Sequence, residues 1–347
     1  MTVLFHRRKF GIRKSPHEVA CLGFSVNPVT LAGMFPKPYF VDANDIRIAV
    51  HDQGEGPPIV LLHGFPELAY SWRHQLPALA AAGFRAIAPD QRGYGKTSVP
   101  SEVADYRIDM LIDDVHGLLD ALQLPSAALV GHDWGAILLW QMAMLAPARI
   151  EKLLILNIPH YPRPVVDPVS IWRQRFGDDF YIVDFQDSDE ADRVFARDPA
   201  HFFDVTMRRN TISREHFDRL PDEKKVVSLV HALSKETHGG QPLLTNSERD
   251  FYAAEFARTG FTGAINWYRN WADNWRRTEG VDQTIRIPTL FIGADNDVLI
   301  SPEHISGMRP LVEDLEIHIL KDCGHWSQQE QPEEVNRLIV DWLVQRR

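Results

Sequence analysis

Cysteine is scarce: Cys21 and Cys323 are the two in 347 residues. Two distant thiols make no disulfide framework, which fits a reducing compartment, and the expected location is the cytoplasm. No apolar run reaches the roughly eighteen residues that a membrane span needs. Positive charge is in deficit, with 37 Lys and Arg against 47 Asp and Glu and a formal net charge of −10. Nor is any basic patch interleaved with aromatics in the main body, so nucleic acid is not an expected partner. Internal repeats and low-complexity segments are missing. The 15 histidines show no convincing zinc spacing, and neither a metal nor an organic cofactor is expected.

A clear secretory signal is also lacking. His6-Arg7-Arg8-Lys9 and Arg13-Lys14 precede a mildly apolar stretch from Val19 to Phe35. Asn27 and Pro28 break that stretch, and no A-x-A site follows. Residues 1–36 are therefore read as a flexible N-terminal extension, or as the result of a start codon placed too far upstream, with export by a weak signal the less favoured alternative.

What is present is ordinary globular material, 44% hydrophobic and 24% charged. The length suits one large domain, or one domain with a sizeable insertion. From Tyr39 onward, β-rich runs alternate with helical patterns. "YFVDA" and "IRIAVHDQG" read as strands joined by a turn at Asn44-Asp45. "PPIVLLHG", "FRAIAPD", "AALVGHD", "EKLLILN", "IPTLFIG" and "LEIHIL" have the near-continuous apolar character of strands buried on both faces. Residues 105–122 carry Ile108, Leu111, Ile112, Val115, Leu118 and Leu119 on one helical stripe. The alternation predicts an α/β fold: a mostly parallel eight-stranded sheet with an antiparallel start and helices on both faces.

The pattern stops after about Asn157 and resumes at Ile287. Residues 160–284 are rich in aromatics and charges and read mainly as helices, as in "SREHFDRL" and "ERDFYAAEFARTG". They are expected to form a helical lid inserted between the sixth and seventh strands of a core made of 37–159 and 285–347. A lid would exclude water and shape a pocket. The plainer alternative is an ordinary second domain.

A serine is missing from one telling place. "LVGHDWGAIL", residues 129–138, has the outline of a strand–turn–helix nucleophile elbow, G-x-S-x-G, with Asp133 at the serine position. Gly131 and Gly135 leave room for the tight turn, and the helix N-terminus favours an ionised carboxylate. An oxyanion hole needs one backbone N–H from the residue after the nucleophile and one from the loop after the third strand. Trp134 and, in "LLHGFPELAYSW", Phe65 occupy those positions. Phe65-Pro66 is a candidate cis peptide, and His63 is read as structural. "PDQRGYGKTS" borders the same pocket without chemistry. Downstream, "FIGADNDVLISP" offers Asp297, with Asp295 as fallback, and "LKDCGHWSQQEQPEEV" offers His325. The order nucleophile, acid, histidine is that of the α/β-hydrolases. His325 would activate water and Asp297 would fix its tautomer. Cys323 is read as a packing residue.

On "HGFPE", "GHDWG", "NWYRN" and "DCGHW", over about residues 37–345, the chain resembles the α/β-hydrolase-fold epoxide hydrolases of the soluble mammalian and plant type. That resemblance implies an aspartate nucleophile and two lid tyrosines that hold the epoxide oxygen. "NWYRN" carries one, Tyr268. In "DFYIVDFQDSDEAD", a tyrosine four residues before Phe185-Gln186 selects Tyr181 as the other, with Tyr252 as rival. Ile182 stands where the family often has glutamine. Phe65, Trp134, Phe185 and Trp267 are expected to line the pocket, although core packing would suit each. The implied partners are a small-molecule epoxide and water, with the protein a monomer or homodimer. Two other readings compete. A haloalkane or haloacid dehalogenase would use the same aspartyl ester, but Phe65 replaces the usual asparagine of the first, and Trp134-Gly135 the usual arginine pair of the second. A non-catalytic ligand-binding protein on the same fold is the other.

Overall fold

The computed structural model describes residues 35–209, 211–221, 224–236 and 238–346. The expectations for residues 1–34 and for Cys21 lie outside the described residues. The main sheet contains β1 (Tyr39–Ala43), β2 (Ile46–Gln53), β3 (Pro58–Leu62), β4 (Arg85–Pro89), β5 (Ala127–His132), β6 (Ile150–Leu156), β7 (Thr289–Ala294) and β8 (Leu315–Leu320). Their order is β1-β2-β4-β3-β5-β6-β7-β8. β2 is antiparallel to both of its neighbours, and every pairing from β4 to β8 is parallel. The β1–β2 turn uses Asn44 and Asp45 at φ of 47° and 60°. Asn and Asp tolerate that left-handed conformation better than most side chains, and it suits a tight hairpin.

Residue alternation sorts the strands into two apolar layers. Val60 and Leu62 face one side with Leu129, and Ile59 and Leu61 face the other with Ala128 and Val130. Helices Ile108–Ala121 and Trp134–Leu145 pack on the first side, and Gln75–Ala81 and Pro332–Gln345 on the second. Both faces of the central strands are thereby dry, which is why their sequences read as unbroken apolar runs. The helix anticipated over 105–122 begins at Ile108, after a 3₁₀ turn at Val103–Tyr106. Arg107 is extended, and Asn274 Oδ1 accepts the Ile108 N–H at 2.9 Å. A side chain from a distant helix thus caps this one.

Between β6 and β7 the described residues form short helices and one two-residue ribbon, Arg208–Arg209 with Gln241–Pro242. The helices that matter below are Pro168–Phe176, Tyr181–Asp187, Asn246–Thr259, Thr262–Arg269 and Trp271–Arg277. Phe185, Phe195, Phe202, Phe203, Phe256 and Phe261 fill the interior of this segment. Among the described residues, no helix is long and apolar enough to cross a membrane.

Candidate active site

The chain turns sharply where β5 ends. Asp133 takes φ 51° and ψ −119°, and the helix Trp134–Leu145 begins immediately after it. A non-glycine residue at positive φ is strained and is held only by well-determined surroundings. Those surroundings are the two glycines. A Cβ on Gly131 would lie 2.6 Å from the Gly135 carbonyl carbon, and one on Gly135 would run into the Leu62 carbonyl. The turn therefore packs backbone to backbone, and its one protruding side chain is a carboxylate.

Asp133 is 7% exposed. Its Oδ1 accepts the Phe65 N–H at 2.8 Å, and its Oδ2 lies 3.6 Å from His325 Nε2. Phe65 precedes a cis Phe65-Pro66 peptide. Trp134 opens the helix, where first-turn N–H groups have no intrahelical acceptor. His325 Nδ1 is 2.8 Å from Asp297 Oδ2. Asp297 is 1% exposed and also accepts from Asn157 Nδ2 at 2.8 Å and the Leu299 N–H at 3.0 Å. Asp295 instead pairs with Lys321 Nζ at 3.6 Å and accepts the Cys323 N–H at 3.4 Å.

The charges support one another. Burial would raise Asp133, but the facing imidazole, the charges of His325 and His132 and the Phe65 N–H together hold it below its ordinary value. Asp297 is likewise lowered against its burial, by His325, Asn157 and the Leu299 N–H. Burial would lower His325, yet the charges of Asp297 and Asp133 and their hydrogen bonds raise it well above the usual histidine value. Each carboxylate thus favours its charged form, and the imidazole between them is favoured in its protonated form.

Tyr181 and Tyr268 are close enough to Asp133 to feel its charge. Their ring centroids are 5.8 Å apart, and Tyr268 is 3% exposed. Burial first, and then the charge of Asp133, push both phenols well above their ordinary value, so both remain O–H donors. Phe65 packs edge-on against Phe185 at 5.9 Å and Tyr268 at 5.4 Å, and Trp134 against Tyr268 at 5.0 Å. Trp134 Nε1 is buried close to the Tyr268 hydroxyl, whose pKa it lowers slightly against the effect of burial. Trp267 packs on Trp134 at 5.7 Å and on Tyr94 at 5.9 Å, and its indole donates to the Arg92 carbonyl at 3.0 Å. Ile182 is buried beside Tyr181. Tyr252 is also buried, but it packs on Tyr70 and Phe203, and the charges that act on it are those of Arg73, Glu67 and Glu248. His63 bonds the Gly64 carbonyl at 3.0 Å and accepts the Gln91 N–H at 3.0 Å, a structural role. Cys323 is fully buried, and burial raises its thiol far from the thiolate.

Several supporting residues carry no recognisable sequence signal. Asn157, at φ 67°, donates to Asp297 and to the Gly324 carbonyl and accepts Ser327 Oγ–H at 2.6 Å. His132 Nδ1 lies 2.9 Å from Glu67 Oε2, and its Nε2 lies 2.8 Å from the His325 carbonyl. The ring thereby ties the Glu67 carboxylate to the backbone of the His325 loop. Gln328 and Gln329 donate to the same Glu67. Glu330 accepts the Gly324 N–H at 3.0 Å and the Trp326 N–H at 3.1 Å.

Residues 57–332 match the family described as alpha/beta hydrolase fold. Epoxide hydrolase A of Mycobacterium tuberculosis is 40% identical over 322 residues, covering 89% of this chain and 98% of that protein. Epoxide hydrolase 3 of Siraitia grosvenorii is 37% identical, covering 87% and 96%. The crystal structure of Epoxide Hydrolase A from Mycobacterium thermoresistibile superposes with a TM-score of 0.80 at 38% identity, covering 89% of this chain and 98% of that one.

Proposed function

The chain belongs to the alpha/beta hydrolase fold family and, within it, to the epoxide hydrolases; from that premise we propose how its residues divide the addition of water to an epoxide. Asp133 is the nucleophile. Its Oδ1 rests on the Phe65 N–H, and Oδ2 attacks a ring carbon in line with the breaking C–O bond. Tyr181 and Tyr268 hold the ring oxygen, and one gives it a proton. Without that proton the leaving group would be an alkoxide, which leaves poorly. The product is a hydroxyalkyl ester of Asp133.

Ester formation also switches on the base. In the resting triad His325 is kept protonated by two carboxylates. Esterification removes the charge of one of them, so the imidazolium becomes a stronger acid. The phenolate left by the first proton transfer, buried and far from its usual acidity, reclaims a proton at the expense of His325. His325 is then neutral, and Asp297 fixes its proton on Nδ1. Nε2 takes a proton from water, and the oxygen of that water attacks the Asp133 carboxyl carbon. The N–H groups of Phe65 and Trp134 stabilise the oxyanion. Collapse breaks the bond to the diol oxygen, which leaves with the remaining proton. Asp133 is again a carboxylate and His325 again an imidazolium.

The helical segment 160–284 acts as a lid that brings the phenols over the carboxylate and keeps bulk water out. Phe65, Trp134 and Phe185 form apolar walls, and Trp267 braces Trp134. The protein works in the cytoplasm, as a monomer or homodimer.

The observation that carries this reading is a buried carboxylate beside His325–Asp297, with its charge felt by two phenols, Tyr268 buried and Tyr181 half-buried. The test is product analysis with purified protein and styrene oxide, a fatty-acid epoxide, an epihalohydrin and a haloalkane. Steady diol formation is expected. Halide release from the haloalkane without diol from any epoxide would favour a dehalogenase, for which the buried Trp134 indole N–H would be the halide donor.

A further inference from the structure

His325 sits in a loop, Gly324–Trp326, that belongs to no helix or strand. Its backbone groups therefore have no ladder to hold them, and a loop carrying a base needs other anchors. Glu330 supplies two of them. It ends the short helix Ser327–Glu330, and its side chain turns back on the loop. Oε2 accepts the Gly324 N–H at 3.0 Å and Oε1 the Trp326 N–H at 3.1 Å. These donors lie on either side of His325. From the opposite side Asn157 holds the Gly324 carbonyl at 3.3 Å and His132 the His325 carbonyl at 2.8 Å. Gly324 is what lets the carboxylate in: a Cβ there would lie 2.9 Å from Glu330 Oε1 and 3.4 Å from Oε2. The imidazole itself is occupied elsewhere, Nδ1 on Asp297 and Nε2 toward Asp133. Glu330 thus grips the backbone that carries the ring.

We propose that Glu330 is a positioning residue for the second half-reaction, clamping the His325 loop so that Nε2 can reach the hydrolytic water. The inference rests on the reading of Asp133 as nucleophile and His325 as base. A carboxylate receiving two N–H groups is a strong, charge-assisted clamp. In Glu330→Gln one oxygen remains to accept, and the amide NH₂ meets the other backbone donor head-on. General-base transfer needs heavy atoms about 2.6–3.2 Å apart, and a shift of ~1 Å can cost ~10²-fold.

The test follows ester formation and decay in rapid-quench intact-protein mass spectrometry, with styrene oxide as probe. Glu330→Gln should form the Asp133 ester at the wild-type rate and hydrolyse it about 10²-fold more slowly. In the steady state kcat and KM should fall together, leaving kcat/KM unchanged. Gly324→Ala, which keeps the charge of Glu330 but displaces its carboxylate, should slow the same step. The pH midpoint of ester hydrolysis should stay in place in Gly324→Ala, which keeps the Glu330 charge. Wild-type ester decay in either folded variant would overturn the proposal. So would a shifted pH midpoint in Glu330→Gln with normal Gly324→Ala kinetics, because Glu330 would then act through its charge. If the wild type formed no ester at all, the underlying reading would fail, and the proposal with it.

Discussion

Replacing Asp297 by asparagine removes one charge and forces a choice on a fully packed site. Asp297 Oδ2 accepts from His325 Nδ1 and from Asn157 Nδ2, both at 2.8 Å, while Oδ1 accepts the Leu299 N–H at 3.0 Å. An amide has one oxygen to offer. If that oxygen faces His325, the NH₂ is driven against the Leu299 N–H. An unsatisfied buried donor costs about 1–3 kcal/mol. If the amide flips, its NH₂ faces Nδ1, which must then accept. His325 would carry its proton on Nε2 and could not take one from water. Asn157 cannot relieve the conflict by turning over, because its own oxygen accepts Ser327 Oγ–H at 2.6 Å. A wrong tautomer in a comparable triad lowers turnover by about 10⁴-fold. Here a share of the correct orientation survives at the Leu299 penalty, so ester hydrolysis should slow by roughly 10³-fold, about 4 kcal/mol. Ester formation should change far less, since Asp133 keeps the Phe65 N–H. Rapid-quench mass spectrometry separates the two steps. Asp295→Asn is the control: Asp295 bonds Cys323 and Lys321, and its loss should cost within ~0.5 kcal/mol. Ester decay within a few-fold of wild type in Asp297→Asn would refute the reasoning.

Other outcomes follow from the same geometry. Tyr181→Phe and Tyr268→Phe should each slow ester formation by roughly 10²-fold, and the double variant should be far worse, as measured by single-turnover kinetics; full epoxide activity in the double variant would remove both phenols from the mechanism. Because Asp133 is held below its ordinary acidity range, ester formation should keep its rate as the pH falls to about 4. Ester hydrolysis should instead fall with acidification, because His325 must be neutral for that step; pre-steady-state rates at each pH decide, and parallel pH profiles for the two steps would contradict the switch. Gly135→Ala would push a methyl group into the Leu62 carbonyl, which is backbone and cannot yield cheaply. It should cost about 1–3 kcal/mol in denaturant unfolding.

The sheet was legible because strands such as Pro58–Leu62 and Ala127–His132 are buried on both faces, and burial leaves unbroken apolar runs. The hairpin turn was legible at Asn44-Asp45, where side-chain type and positive φ agree. Asp133 could be singled out because an elbow demands small residues on either side, and glycine at 131 and 135 is a local signal. The start of the helix at Ile108 was not readable, since the residue that caps it, Asn274, lies on another helix far along the chain. Asn157 and Glu330 stayed silent for the same reason. Asn157 looks like the end of a strand, and Glu330 like one more acidic residue in "QQEQPEE". Their partners are chosen by folding. Trp267 shows the limit of composition: its neighbour Tyr268 packs on Phe65 and Trp134 while the Trp267 indole is tied to the Arg92 carbonyl.

The central claim is that Asp133 becomes covalently attached to substrate and is then freed by water. It is tested most directly in one turnover of enzyme in excess over epoxide, run in ¹⁸O-water. The account predicts that the heavy oxygen enters the Asp133 carboxylate, read by peptide mass mapping, and that the first diol carries an unlabelled oxygen from the enzyme. Heavy oxygen appearing directly in that first diol, with Asp133 unlabelled, would contradict it.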